Sequence, residues 1–479
     1  MITYKQADHI IFKESDHIFI FLVSESAIFE IEPKIEKTIK LFNKSEQSNK
    51  KEILKKIKDA GIKNYQEIAD TLIKRRILTP LIEKKNISCV YNKIPLKTLV
   101  FNITDRCNLS CLYCYHNKDN KIEKTDSMTF ATAEKAVDFL FDNSDANKKV
   151  TIVFFGGEPV INFDLITFIT GYAQKKAKKL QKKAEFAITT NGTLLTEKVI
   201  DFFYQNKIGV TVSIDGPQEI HDKFRQFADG GSSYKAILPK IKNLINKFQT
   251  KGGKPVVARV TVAKNAAHLP QTLEHLLKLG FAEAGFGPVT TDNPAYQLNT
   301  DEMKIMLNKF KELSDKFLRY ADEDKFYGFT NIIDLLVLLH QGEVKNYPCG
   351  AGLGLFAVSA EEKLYLCQRL IGNKAFCMGN LSDGFDTEAV KKFRKKAELN
   401  AKPECGLCEV RYICAGGCYH EALIREKKLT KANLHYCEWI KEWIKYGLKI
   451  YGKLILKNPD YLNKLSMLRG HSPVTGHII

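Results

Sequence analysis

Residues 105–115 read Asp-Arg-Cys-Asn-Leu-Ser-Cys-Leu-Tyr-Cys-Tyr, which sets Cys107, Cys111 and Cys114 in a Cys-x3-Cys-x2-Cys array. Three thiolates this close can hold three irons of a cubane [4Fe–4S] cluster. A cluster that only transfers electrons is normally tied by four cysteines. Three ligands leave one iron open, and an open position on a metal is where chemistry is done rather than where structure is stapled. The plain alternatives are three buried cysteines or a zinc knuckle, for which His116 is the only fourth ligand nearby.

Outward from this stretch, residues 96 to about 290 alternate strand and helix, the pattern of βα units and a parallel sheet. Leu99–Ile103 enters the cysteine loop, and Val150–Phe155, Glu185–Ile188, Val210–Ile214, Val256–Val262 and Ala284–Phe286 follow as strands. Six such strands predict a partial (β/α)6 barrel, whose chemistry belongs at the C-terminal strand ends. The next motifs fall at those ends: Gly156-Gly157-Glu158-Pro159, Thr190-Asn191-Gly192, and Ser213-Ile214-Asp215-Gly216-Pro217. Two glycines let backbone approach a ligand closely, and Glu158 can accept charge-assisted hydrogen bonds from an ammonium. Arg225 has the planar fork that binds a carboxylate bidentately. Taken singly, each of these is as readily a turn residue or a surface arginine.

In this order the motifs resemble the radical S-adenosylmethionine (radical SAM) enzymes. Tyr113 before the third cysteine and Asn108 after the first fit that family's loop. The resemblance implies that the open iron chelates SAM and that the reduced cluster cleaves it to a 5′-deoxyadenosyl radical. It implies a SAM site built from Tyr113, Gly156, Gly157, Glu158, Pro159, Ser213 and Arg225, with Glu158 at the amino group and Ser213 and Arg225 at ribose and carboxylate. Asn191 and Asp215 read as loop-shaping residues.

Twelve cysteines without a secretion signal argue for metal ligation rather than disulfides. Eight lie between Cys349 and Cys437, and none falls between 115 and 348. Cys405-x2-Cys408-x5-Cys414-x3-Cys418 followed by Cys437 resembles the SPASM domain, which carries two auxiliary clusters beside a radical SAM barrel. A four-cysteine zinc site would leave the other cysteines idle. By the resemblance, Cys405, Cys408, Cys414 and Cys437 hold an outer cluster, and Cys349, Cys367 and Cys418 an inner one, giving three iron–sulfur clusters of the [4Fe–4S] type. Related enzymes often have another cysteine where this chain has Leu355, and a glycine where it has Glu362. Either Cys377 completes the inner cluster or its fourth iron is open. Cys89 reads as a buried hydrophobe.

At 479 residues, 44% hydrophobic and 27% charged, the chain fits two or three ordinary globular domains. No apolar run approaches a membrane span, and the N-terminus lacks a signal-peptide layout, so a cytoplasmic enzyme without membrane partners is expected. The net charge of +18 is spread over lysine-rich helical faces; no nucleic-acid signature accompanies it. Residues 1–95 read as β-runs at His17–Val23 and Ala27–Ile31, then helices near 33–43, 50–60 and 65–76. This layout resembles winged-helix modules that bind leader peptides. The expected domains are that module, the barrel over 96–310, a helical linker over 311–345, the SPASM domain over 346–445 and a tail over 446–479.

Three functions fit. Ser-Ala-Ile-Phe-Glu-Ile (26–31), Gly-Val-Thr-Val-Ser-Ile-Asp-Gly-Pro (209–217) and Gly-Phe-Gly-Pro-Val-Thr-Thr (285–291) resemble the maturases of quinohemoprotein amine dehydrogenase, which form thioethers from cysteine to Asp or Glu. This implies an oxidoreductase acting on a peptide or small protein with a leader, supplied by an electron donor such as flavodoxin or ferredoxin. The second is an anaerobic sulfatase-maturating enzyme, which makes formylglycine; those enzymes carry an aspartate base after the second auxiliary cysteine, where Cys367 is followed by Gln368. The third is a non-catalytic iron–sulfur or zinc adaptor.

Overall fold

The computed structural model describes residues 2–81, 94–115, 127–145 and 147–474. Cys89 and His116 lie outside them. The chain opens with four strands, β1 (Thr3–Gln6), β2 (His9–Glu14), β3 (His17–Leu22) and β4 (Ala27–Ile31), followed by α1 (Pro33–Ile39), β5 (Gln47–Asn49), α2 (Lys50–Asp59), α3 (Tyr65–Lys74) and β6 (Leu78–Pro80). β2, β3 and β4 form one antiparallel sheet, and β1 sits between β5 and β6 in another. The two-residue period of β3 divides its side chains between two cores. Ile18, Ile20 and Leu22 face Ile53, Ile57 and Leu72 of the helices, while Phe19, Phe21 and Val23 join the main core. The expected β-runs and three helices stand where the sequence places them. β1, β5 and β6, each of three or four residues, are too short to show a periodicity in sequence.

Six parallel strands then run in sequential order: β7 (Thr98–Thr104), β8 (Lys149–Gly156), β9 (Lys183–Thr190), β10 (Gly209–Ser213), β11 (Val257–Val262) and β12 (Glu283–Pro288). α4 (Phe130–Asp142), α5 (Phe163–Lys179), α6 (Glu197–Gln205), α7 (Gln218–Phe224), α8 (Ser233–Thr250) and α9 (Leu269–Lys278) form the connections. This is the expected open (β/α)6 arrangement. Along β8 to β11 every second residue, such as Ile152, Ile188, Val212 and Val260, is buried against the helices. The residues between them face the lumen and keep contact with solvent.

α10 (Thr300–Asp322), opened by a capping box of Asn299 and Glu302, and α11 (Thr330–His340) lead to the cysteine-rich part. There β13 (Leu355–Val358) pairs parallel with β7, and β14 (Lys363–Tyr365), β15 (Cys377–Asn380) and β16 (Gly384–Phe385) continue as an antiparallel meander. The barrel sheet therefore extends to ten strands, with Leu355 beside Thr98. α12 (Thr387–Ala397), α13 (Arg411–Cys414), α14 (Tyr419–Glu426), α15 (Cys437–Lys457) and α16 (Pro459–Leu468) complete the chain. The boundaries read at 310 and 445 cut through α10 and α15. Both helices run on because they pack together: Phe310 meets Trp439 and Trp443 edge-on, and the Tyr446 hydroxyl donates to Asp315 at 2.6 Å. No described helix is long and apolar enough to cross a membrane.

Candidate active site

The cysteine loop leaves β7 and is held by the neighbouring strand ends. Gly157 N donates to Thr104 O at 2.8 Å and Glu158 N to Arg106 O at 2.9 Å. A Cβ on Gly156 would collide with the Thr104 carbonyl, and one on Gly157 with that of Arg106. The two glycines let this backbone pass directly against the cysteine loop. On the other side Ser110 N and Leu112 N donate to Gln226 O and Phe224 O at 2.8 and 2.9 Å. The loop is thus tied down on both flanks before any metal is considered.

Glu158 is fully buried, and its carboxylate accepts from Val160 N (3.1 Å), Thr190 Oγ1 (2.8 Å) and Asn191 N (2.6 Å). Burial pushes its pKa up to about 7 against the pull of those three donors. Both oxygens are engaged within the protein, and together they fasten the end of β8 to the end of β9. Pro159 follows as the first residue of a short 3-10 turn. Asn191, read only as a loop residue, is a hub. Its Nδ2 donates to Asn108 Oδ1 at 2.9 Å and lies 3.7 Å from Cys107 Sγ, while its Oδ1 accepts from Thr193 N and Oγ1.

Asp215, also read as loop-shaping, organises the far side. It accepts from the Tyr113 hydroxyl, from Arg225 Nε at 3.0 Å and from Thr261 N at 2.9 Å. The Arg225 guanidinium lies over the Tyr113 ring, 5.4 Å from its centroid, with Nη1 4.0 Å from Cys111 Sγ. Burial works against its charge, and the Asp215 carboxylate together with Tyr113 and Cys111 more than offsets that. His221, which burial holds neutral with a pKa of about 4, accepts from Asp215 N and bridges to Ser233. Ser213 ends β10 on the lumen face. Tyr113, Arg225, Glu158 and the triad therefore gather at one end of the sheet, at the C-terminal ends of β7 to β10.

The model of the Radical SAM superfamily matches residues 101–276. An uncharacterised protein of Methanocaldococcus jannaschii is 30% identical over 60% of this chain and 90% of its own. The chain belongs to the radical SAM superfamily. The cysteine-type anaerobic sulfatase-maturating enzyme of Clostridium novyi is 25% identical over 74% of this chain and 95% of its own. Among solved structures, anSMEcpe with bound AdoMet superposes with a TM-score of 0.66 at 22% identity, covering 79% of this chain and all of that one. Superfamily membership implies SAM and an iron–sulfur cluster as cofactors.

The radical SAM barrel is joined by a second cysteine array, and the fold sorts its thiols into two groups. Cys367, at the start of a 3-10 turn, lies in the field of Cys418 and Cys349. Cys405, ending another turn, lies in the field of Cys414, Cys408 and Cys437. The sequence reading assigns the first three to an inner set and the other four to an outer one. Cys377 stands apart in β15, its Sγ 3.3 Å from Gly379 O. Burial pushes the Cys111, Cys367, Cys405 and Cys437 thiols up to about 11, so each gives up a proton on meeting a metal.

Two observations bear on the fit to iron–sulfur clusters. Among the described residues no three His, Cys, Asp or Glu side chains converge as one ion would require; a cubane asks less, since each thiolate takes a different iron. Lys402 is 2% exposed, and its ammonium donates to Ala415 O at 3.1 Å among the thiols of Cys405, Cys414 and Cys349. Burial lowers its pKa, and those sulfurs are its nearest source of negative charge. A buried cation is tolerable beside anionic thiolate clusters and costly beside neutral thiols. The residues present fit such groups. Lys402 carries no sequence signal, being one lysine among many.

Proposed function

We propose that this radical SAM enzyme is an oxidoreductase that acts on a peptide or small protein and joins a cysteine sulfur to a carbon of another residue, Asp or Glu first among them. SAM at a reduced three-thiolate cluster would supply a deoxyadenosyl radical able to take a hydrogen atom from an aliphatic carbon; the thiol would give up its proton, and an auxiliary cluster would take the one electron released when the carbon–sulfur bond forms. Cys107, Cys111 and Cys114 would hold that cluster, with Asn191 and Arg225 beside two of their sulfurs. The backbone shaped by Gly156, Gly157 and Pro159, together with Ser213 and the outer edge of Arg225, would hold SAM. Cys405, Cys408, Cys414 and Cys437 would hold one auxiliary cluster. Cys349, Cys367 and Cys418 would hold the other, leaving one of its irons for a substrate thiolate and making three clusters in all. The N-terminal sheets and helices would receive the leader, and flavodoxin or ferredoxin would supply electrons.

What carries this reading over formylglycine formation is the pair that follows Cys367. Gln368 and Arg369 stand there, and neither takes up a proton at neutral pH. The similarity to sulfatase-maturating enzymes favours the second reading, formylglycine from a cysteine. Mass spectrometry of the anaerobic product separates them. A thioether leaves the peptide lighter by two hydrogen atoms and makes that cysteine resistant to alkylation. A carbonyl at the former cysteine, trapped by hydrazine, overturns the proposal.

A further inference from the structure

The lumen carries an arginine for which the reading above has no use. Arg259 stands mid-way along β11 in register with Ser213 of β10 and Gly285 of β12. Its chain neighbours Ala258 and Val260 are fully buried against the helices. Arg259 itself is enclosed enough that burial lowers its pKa, yet its surface stays open to water. A group that is both enclosed and wet lines a cavity. Gly287 makes room for it, since a Cβ there would collide with the guanidinium. Among the described residues no hydrogen bond or ion pair holds it.

The charge that presses hardest on Arg259 is another arginine, Arg369, with Asp215 a weaker opposing influence. Asp215 is already occupied by Arg225, Tyr113 and Thr261. Arg369 comes from the cysteine-rich part, two residues after Cys367. Its Nη1 donates to Thr290 Oγ1 at 2.7 Å, just past the end of β12, and its guanidinium lies 5.3 Å over the ring of Tyr115, the neighbour of Cys114. Cys418, Glu421 and Cys367 are in its field, the Glu421 carboxylate being itself held by Arg425 and the Thr290 hydroxyl. The Arg259 guanidinium lies against Gly287 and that of Arg369 against Thr290, three residues further along the chain, so both stand at the end of β12 beside the triad loop. Like charges in a partly dry site repel, and a carboxylate between them would turn that repulsion into paired charge-assisted hydrogen bonds.

We propose that Arg259 and Arg369 receive a carboxylate of the substrate, from an acidic side chain or from a chain terminus. This assignment rests on the reading of a peptide substrate, and it would place the reacting residue between the triad and the inner cysteine set. The test uses the full chain, anaerobically reconstituted and saturated with SAM, and three probes: N-acetyl-Gly-Asp-Gly-amide, N-acetyl-Gly-Asn-Gly-amide, and N-acetyl-Gly-Gly with a free carboxyl terminus. Calorimetry should find the Asp probe bound roughly tenfold or more tighter than the Asn probe. Preference for the free-terminus probe over both would keep the clamp and assign it to a chain terminus. Arg259→Gln should erase the preference and Arg259→Lys retain part of it, with iron content unchanged in both.

Equal affinity for the Asp, Asn and free-terminus probes in the unmodified enzyme overturns the clamp without recourse to any variant. Weaker SAM binding by Arg259→Gln in the absence of peptide also overturns it, because the guanidinium would then serve SAM. Failure here is distinct from failure of the thioether reading. A product lighter by two hydrogen atoms, with no preference for acid, removes the clamp and leaves the thioether. A carbonyl product with a clear preference for acid does the reverse.

Discussion

The barrel triad and the cysteine-rich part position thiols in opposite ways. Cys107, Cys111 and Cys114 share one short loop, and backbone hydrogen bonds from the 156–158 and 224–226 segments hold it in place. The seven thiols assigned to the inner and outer sets come from a loop, turns and helix ends spread from Cys349 to Cys437. Around Lys402 the fold gives Cys349, Cys405 and Cys414 burial and a cation. The first arrangement depends on steric fit at two glycines. The second depends on electrostatics and on long-range packing.

That contrast predicts unequal responses to equally small changes. The largest effect is expected at Gly157→Ala, where the added methyl meets the Arg106 carbonyl. Overpacking of this kind costs about 1–3 kcal/mol, and here it falls on the loop. The variant should lose about one cluster's worth of iron together with SAM cleavage. Gly406→Ala, between Cys405 and Cys408, would meet only Pro403 O at 3.4 Å and should keep its iron. Equal losses in the two variants would erase the distinction.

Glu158→Gln comes next. An amide cannot accept from all three donors, so melting should show a loss of about 1–3 kcal/mol. The pH dependence has a definite sign. The folded pKa of about 7 lies above the ordinary 4.5, so folding favours the protonated acid. Stability from this group is fully present below about 4.5 and falls as pH rises to about 7. Unfolding curves of the variant should lack that segment of slope.

Lys402→Met should be milder, keeping iron but moving the auxiliary midpoint potentials downward in a redox titration, since a nearby cation favours the reduced, more anionic cluster. Barrel potentials should stay put. The smallest effect belongs to Cys377→Ala, which should keep its iron and most of its turnover. Loss of a full cluster there would make Cys377 an inner ligand.

The same contrast decides what the sequence discloses. The triad and the motifs at 156, 190 and 213 are local, and the parallel strands that carry them are long enough to show their period. The sorting of Cys349, Cys367 and Cys418 came from a family pattern, because spacing along the chain does not say which turns meet. Side chains acting across the fold stayed hidden: Asn191 on Cys107, Asp215 on Tyr113 and Arg225, and Lys402 among the sulfurs. Arg259 was half visible. In Val-Ala-Arg-Val-Thr-Val the alternation sets the arginine opposite the buried Ala258 and Val260, but its unpaired state depends on where Asp215 is spent. The partners of Glu158, Thr190 and Asn191, were hidden too, because they arrive from the next strand.

The central claim is that one iron site, the triad's, is open to SAM while the outer cysteine set is closed. Electron paramagnetic resonance of the dithionite-reduced protein, recorded with and without SAM, tests it directly. SAM should change one signal, and that signal should be missing from the Cys107→Ala, Cys111→Ala, Cys114→Ala triple variant, which keeps about two-thirds of its iron. A SAM-responsive signal that survives in the triple variant, or 5′-deoxyadenosine still formed by it, would contradict the account.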